Sequence, residues 1–262
     1  RKRMHLKGVP VFPTPERGVR ALAQRLPKEK RIKPARTTFV EGHVQGRSSS
    51  LSEGLAFLEK HGFECICHRF AESPGKAVHV AHQLGFPVAL KIDSPDILHK
   101  SDVGGVRLNL RSGHEVRKAY EEMMAHARRI MPQASIRGAV VTSMAASGVE
   151  VILGMNRDPQ FGPVILFGLG GVTVELFRDV TLKILPLTRE DAFAMLEEIQ
   201  GAPLLSGYRG SRPVDKNALV EAILKLAQLA ESHEDLLEID LNPVFAYSEG
   251  VLVADARLIW KS

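Results

Sequence analysis

The segment Phe86-Pro-Val-Ala-Leu-Lys-Ile92, followed by Pro95-Asp-Ile-Leu-His-Lys-Ser-Asp-Val-Gly-Gly-Val106, constrains this chain more than any other. A short apolar run that ends in a lysine describes a buried strand delivering a cation at its end. The turn-rich stretch after it gathers Pro95, His99, Lys100, Asp102 and the pair Gly104-Gly105, and apolar alternation then resumes at Val106, Leu108 and Leu110. Adjacent glycines let a backbone approach an anion closely, and successive N–H groups can form a nest around phosphate oxygens. The plainer alternative is a hairpin with a polar tip.

Around this segment strands and helices alternate. The spacing predicts a strand over 64–69, a helix over 73–84 capped by Ser73 with Pro74 at its first position, and the strand ending at Lys91. A strand over 106–110, a helix over 114–130 and a strand over 136–142 complete an α/β half. A helix capped by Ser52 and running to His61 precedes them. The second half changes texture, with short strand candidates over 149–155, 163–167, 172–177 and 182–185, which suggests an antiparallel meander. Helices over 189–200 and 215–231 and strands over 237–241 and 251–255 close the chain. The expected architecture is α/β (α+β) in two lobes.

Composition enters through charge. Of the chain's 35 Lys/Arg and 30 Asp/Glu, residues 1–47 hold 13 and 3, so all the excess positive charge lies in the leading segment. That segment has only Phe12 and Phe39 as aromatics, too few for the stacking platforms of a single-strand binder. A basic linker with a solvated face is the expectation, and no nucleic-acid partner. Apolar runs stop well short of the ~20 residues that cross a bilayer, so no membrane partner is expected either, and the cytoplasm is the expected location. The chain starts at Arg1 without methionine, and it reads as a piece of something longer. Cys65 and Cys67 share a strand face but lie too far apart for a good disulfide, and they are expected to be reduced core thiols.

Familiar nucleotide signatures are missing. There is no G-x-x-x-x-G-K-[ST], and Gly168-Leu-Gly-Gly171 lacks the third glycine of G-x-G-x-x-G. A carboxylate and an amide stand out instead, in Glu238-Ile-Asp-Leu-Asn-Pro243 and Val251-Leu-Val-Ala-Asp-Ala-Arg257. Asn242 and Asp255 each end an apolar strand, where two paired strands could present their oxygens side by side. Magnesium favours a few hard oxygen ligands of this kind, completed by water and phosphate. The competing reading makes Asn242-Pro243 the start of a hairpin turn and Asp255 the end of one.

Taken in order, the lysine-ended strand, the glycine loop, Val140-Val-Thr-Ser-Met144, Glu150, Asp158-Pro-Gln-Phe-Gly-Pro163, Gly168-Leu-Gly-Gly171 and the Asn-Pro…Asp pair resemble one family. That family is the ATP-grasp domain of the ADP-forming acyl-CoA synthetases, of the acetate–CoA ligase type, with the succinyl-CoA synthetase β subunit as a more distant relative. The resemblance covers about residues 51–260. Residues 1–36 look like the tail of a preceding CoA-ligase-like region, with 37–50 as a linker, 51–142 as the N-terminal lobe and 143–262 as the C-terminal lobe.

The resemblance implies a fold in which two lobes clamp ATP or ADP with Mg²⁺. It implies Lys91 on the nucleotide phosphates, with Gly104 and Gly105 in the phosphate loop. Val141, Ser143 and Met144 would form the hinge that reads adenine, with Glu150 near the ribose and Asn242 and Asp255 holding Mg²⁺. His99 would be a phosphoryl carrier between a phosphohistidine and ADP. Relatives often carry Val-Gln-Glu-Met at the hinge, so the carboxylate is absent here at Ser143. The implied enzyme is an acid–CoA ligase, incomplete without a CoA-binding domain or α subunit through which acyl-CoA and phosphate would act. Two alternatives differ in class. One is a non-catalytic regulatory ATP-grasp domain of a fused protein N-acetyltransferase. The other is a carboxylate–amine ligase that forms an acyl phosphate directly.

Overall fold

The computed structural model describes residues 46–171, 179–208 and 210–262. The leading tail, most of the proposed linker and the strand candidate at 172–177 lie outside the described residues. Two antiparallel sheets organise what is described.

The smaller sheet has the order β2-β5-β3-β4, formed by β2 (His68–Ala71), β5 (Gly138–Ser143), β3 (Val88–Asp93) and β4 (Val106–Leu110). Helices α2 (Pro74–Leu84) and α3 (Gly113–Ile130) pack on it. The first starts as its Ser73 cap predicts and the second one residue before the expected position, with Ser73 and Ser112 accepting N–H bonds from Lys76 and Glu115. Val116, Ala119, Tyr120, Met123, Met124 and Ala127 recur at three- and four-residue spacing and form the buried stripe of α3. Val88, Leu90 and Ile92 of β3 meet this stripe, together with Ala139 and Val141 of β5.

The period of two sends the alternate residues of β3 the other way. Lys91 lies across from Val140 in the ladder, and Val140 packs into the core of the larger half. One face of the small sheet therefore carries its own helices, and the other, bearing Lys91 and Asp93, abuts the larger half.

The larger sheet has the order β1-β11-β9-β6-β7-β8, with β10 also paired to β9. Its strands are β1 (Gly46–Ser48), β6 (Val149–Asp158), β7 (Gly162–Leu169), β8 (Val180–Ile184), β9 (Leu236–Ala246), β10 (Val251–Val253) and β11 (Arg257–Lys261). The β6-β7-β8 run is the antiparallel meander expected from the strand spacing. Helices α4 (Arg189–Glu198), α5 (Ala202–Leu205) and α6 (Lys216–Ser232), with α1 (Leu51–Lys60), share one core with Leu153, Met155, Ile165, Phe167, Ile239 and Leu241.

Four expectations need correction. The stretch read as linker through Ser50 contains β1, which pairs Gly46–Ser48 with Ile259–Lys261. Helix α1 is capped by Ser50 rather than Ser52. Ser50 and Glu53 form a reciprocal capping box, which satisfies two N-terminal donors where Ser52 would satisfy one. Its apolar stripe, Leu51, Leu55 and Leu58, joins the core of the larger half and not that of the small sheet. Finally, Cys67 is exposed. Cys65 is half-buried, and burial, with Glu59 and Glu64 nearby, pushes its thiol up to about 12, which keeps it inert. Both cysteines are unbridged.

Candidate nucleotide and metal site

The site grows from the register of β9. Val253 pairs with Val244 before the break at 254–256, and Arg257 pairs with Asp240 after it. The Ala254 N–H donates to the Pro243 carbonyl at 3.0 Å, so Asp255 falls across from Asn242. Strand β9 continues through Asn242-Pro243 with a shift of register against β6 and does not turn there. Ile239 and Leu241 are buried in the core, so the period of two puts Glu238, Asp240 and Asn242 together on the opposite face, and cross-strand pairing adds Asp255 and Arg257. Gly154 on β6 pairs with Asp240 and has no side chain to cover it.

Onto this face the small sheet delivers two ammonium groups. Lys91 Nζ donates to the Ala254 carbonyl at 2.7 Å and to Asp255 Oδ2 at 3.0 Å. Lys100, from the loop between β3 and β4, pairs with Asp255 Oδ1 at 2.8 Å. Each carboxylate oxygen thus has its own cation. Burial alone would raise the carboxyl of Asp255, but Lys91 and Lys100 outweigh it and hold it below the ordinary carboxylate range. Asp240 moves the opposite way. Burial pushes it up, with Glu238 and Asp255 adding to the rise against the pull of Arg257 and Lys100. Arg257 reaches both Glu238 and Asp240, the latter at 3.8 Å, and its buried Nε lacks a hydrogen-bond partner among the described residues.

His99 lies exposed next to Lys100 in the turn that closes this loop. Gly104 takes φ +61°, a left-handed conformation that favours glycine. Gly105 has a different requirement, because a Cβ there would lie 2.7 Å from Ile92 Cγ2 and 2.8 Å from the Lys100 carbonyl. The N–H groups of Asp102, Gly104 and Gly105 donate to the carbonyls of His99, Ser101 and Lys100, so these amides are committed to the loop's own turns. Val141 is buried in the small core, and Ser143 is the last paired residue of β5, its N–H donating to the Cys67 carbonyl at 3.0 Å. Met144 begins the connection to β6. Glu150 is exposed at the start of β6, with its carbonyl accepting from Gly170 at 2.7 Å.

The structure therefore brings Lys91, Asp255 and Asn242 to one place, with the His99 loop tied in through Lys100. Glu150 lies on the same face of the large sheet as Asp240, nearer the hinge. The sequence reading missed Lys100, Asp240 and Arg257. Asp240 was recoverable, since it stands two residues before Asn242 in a strand. Lys100 was not, because periodicity does not fix the direction of a loop side chain.

Asn242 and Asp255 fit a magnesium ion on the chemistry of their donors: one amide and one ionised carboxylate, both hard oxygens, facing each other across a strand pair. Two protein oxygens leave most positions to water and phosphate, as this ion prefers.

Comparison with known proteins points to one family. A model described as ATP-grasp domain matches residues 45–259. The chain is 40% identical to the β subunit of acetate–CoA ligase (ADP-forming) I from Pyrococcus furiosus, over 87% of this chain and 99% of that one. It is 38% identical to acetate–CoA ligase (ADP-forming) I from Archaeoglobus fulgidus, over 96% of this chain but only 39% of that longer protein. Among solved structures, acetyl-coenzyme A synthetase 1 of Candidatus Korarchaeum cryptofilum superposes with TM-score 0.70 and 44% identity. The match covers 82% of this chain and 93% of that one. That structure is described as holding coenzyme A and Mg-AMPPCP, with its phosphohistidine segment pointing towards the nucleotide-binding site.

Proposed function

The chain belongs to the ATP-grasp domain family that includes the β subunits of ADP-forming acetate–CoA ligases, and on that premise we propose that it is the nucleotide-handling part of such an acid–CoA ligase. The observation that carries this reading is the meeting of Lys91, from the small sheet, with Asp255, from the large one, across from Asn242. A cation and a metal-binding pair supplied from opposite halves form a clamp for a polyanion.

In this reading Lys91 meets the phosphates of ATP or ADP as a point charge. Asn242 and Asp255 would hold Mg²⁺, which when bound neutralises the phosphate charge. Met144 and its neighbours Val141 and Ser143 would hold the adenine against the hinge, with Glu150 towards the ribose. Gly104 and Gly105 shape the loop that carries His99.

His99 takes the phosphoryl group from a phosphohistidine on the partner and passes it to ADP. One P–N bond breaks as the next forms on the imidazole, and that bond breaks in turn as a β-phosphate oxygen of ADP attacks. The partner is a CoA-binding domain or α subunit, which supplies acyl-CoA and phosphate, and the assembly works in the cytoplasm. Among the described residues no helix is long and apolar enough to cross a membrane.

The test is phosphoryl transfer from the phosphorylated partner to this chain. His99→Ala should abolish labelling of the chain while leaving Mg·ADP binding intact. Labelling that survives the substitution would remove His99 from the relay.

A further inference from the structure

We propose that Lys100 is a positioning residue: it latches the His99 loop onto Asp255 when no metal is bound, and a divalent cation arriving at Asp255 releases it. The proposal rests on the reading of Asn242 and Asp255 as metal ligands and extends it to the loop.

Both oxygens of Asp255 are engaged by ammonium groups, Oδ2 at 3.0 Å and Oδ1 at 2.8 Å. The side chains of Lys91, Lys100 and Asp255 are 9%, 13% and 13% exposed, so water screens these charges little. A divalent ion bonded to a carboxylate oxygen at about 2.1 Å would sit against an ammonium held at hydrogen-bond distance from that same oxygen. Two like charges cannot share that space cheaply, and one lysine must give way.

The anchoring decides which one. Lys91 lies in the middle of β3, paired on both sides, and has a second acceptor in the Ala254 carbonyl at 2.7 Å. Lys100 lies outside regular structure, and among the described residues its ion pair is with Asp255 alone. Its departure costs one contact, whereas moving the Lys91 ammonium would also cost its bond to the Ala254 carbonyl.

Ile97 and Val103 anchor the loop in the small core, and the turn between them is internally braced. Its turns are closed by bonds from Asp102 to His99, from Gly104 to Ser101 and from Gly105 to Lys100, and its base is fixed by the Ile92 N–H on the Gly105 carbonyl at 2.8 Å. The Lys100 ammonium holds this turn against the large sheet from the position next to His99. Displacing it removes this tie from the imidazole-bearing turn only after the metal is in place. Phosphoryl transfer to an incomplete nucleotide site is thereby disfavoured.

Hydrogen–deuterium exchange of peptides spanning 94–105 tests the latch in the full chain. Four states serve for each variant: ligand-free, Mg²⁺ alone, ADP with chelator, and Mg·ADP. In the wild type, Mg·ADP should speed exchange of this segment, and ADP without metal should not. Ligand-free Lys100→Met should exchange about five-fold faster than wild type, the loss expected for one ion pair. Lys100→Arg should stay near wild type. In the Mg·ADP complex, Met variant and wild type should converge.

Equal exchange in the ligand-free proteins, or a difference that persists undiminished in the complex, overturns the latch. Should Lys100→Met loosen the whole molecule, peptides from β7 will show it, and the wild-type comparison of ADP with and without metal then decides alone. Calorimetry on the same samples separates the two levels of the account. Absence of Mg·ADP binding defeats the nucleotide reading, while binding without metal-dependent release of the loop defeats only the latch.

Discussion

At the scale of residues, the face of β9 sets two carboxylates against each other. Asp255 is ionised below its usual range, so it stabilises the fold above the pKa of the unfolded chain. That stability is lost as pH falls through the depressed folded value. Acid unfolding of the wild type should therefore steepen below about pH 4, and Asp255→Asn should flatten that limb of the stability curve. Asp240 has the opposite sign. Burial beside Glu238 and Asp255 raises its pKa, so ionising it opposes folding as pH rises through the raised value. Asp240→Asn should raise the melting temperature at neutral pH, measured by calorimetric scanning. A fall in melting temperature would show that the Arg257 contact outweighs the burial and like-charge repulsion. Cys65, with its thiol pushed up to about 12, should resist alkylation at neutral pH, whereas exposed Cys67 should react.

At the scale of elements, the loop between β3 and β4 is held by its glycines. Gly105→Ala would drive a methyl group into Ile92 and the Lys100 carbonyl, with backbone on one side, so a loss of about 1–3 kcal/mol is expected in urea unfolding. An unchanged midpoint would mean that the loop repacks freely. Much of this level was legible in the sequence. Ser73-Pro74 marked α2, and the lysine-ended apolar run marked β3, because caps and period-two burial are local signals. What escaped was set by tertiary contact. Ser52 has the chemistry of a cap, yet its N–H and hydroxyl serve Asp93, and Ser50 takes the cap with Glu53. Gly46–Ser48 is too short and polar to announce a strand, and only β11 makes it one. The Asn242-Pro243 pair looked like a turn because proline rarely sits inside a paired strand, and the break in β10–β11 opposite accommodates it.

At the scale of the whole molecule, β3 joins the two halves through alternate residues. Lys91 engages Ala254 and Asp255, and two residues on, fully buried Asp93 accepts from the Ser52 N–H at 2.9 Å and its hydroxyl at 2.8 Å. The first contact lies at the proposed metal site; the second involves only the scaffold. Asp93→Ala should cost about 1–3 kcal/mol by stranding the donors of Ser52. It should also weaken Mg·ADP binding by misplacing Lys91, although Asp93 touches no ligand. Lys91 and the Asn242–Asp255 pair are proposed to grip one nucleotide between the halves. Titration calorimetry of Mg·ADP into the wild type and Lys91→Ala tests it most directly. Binding to the wild type should be 1:1 and should weaken about tenfold or more in the variant; equal affinity for the two proteins would rule out the clamp.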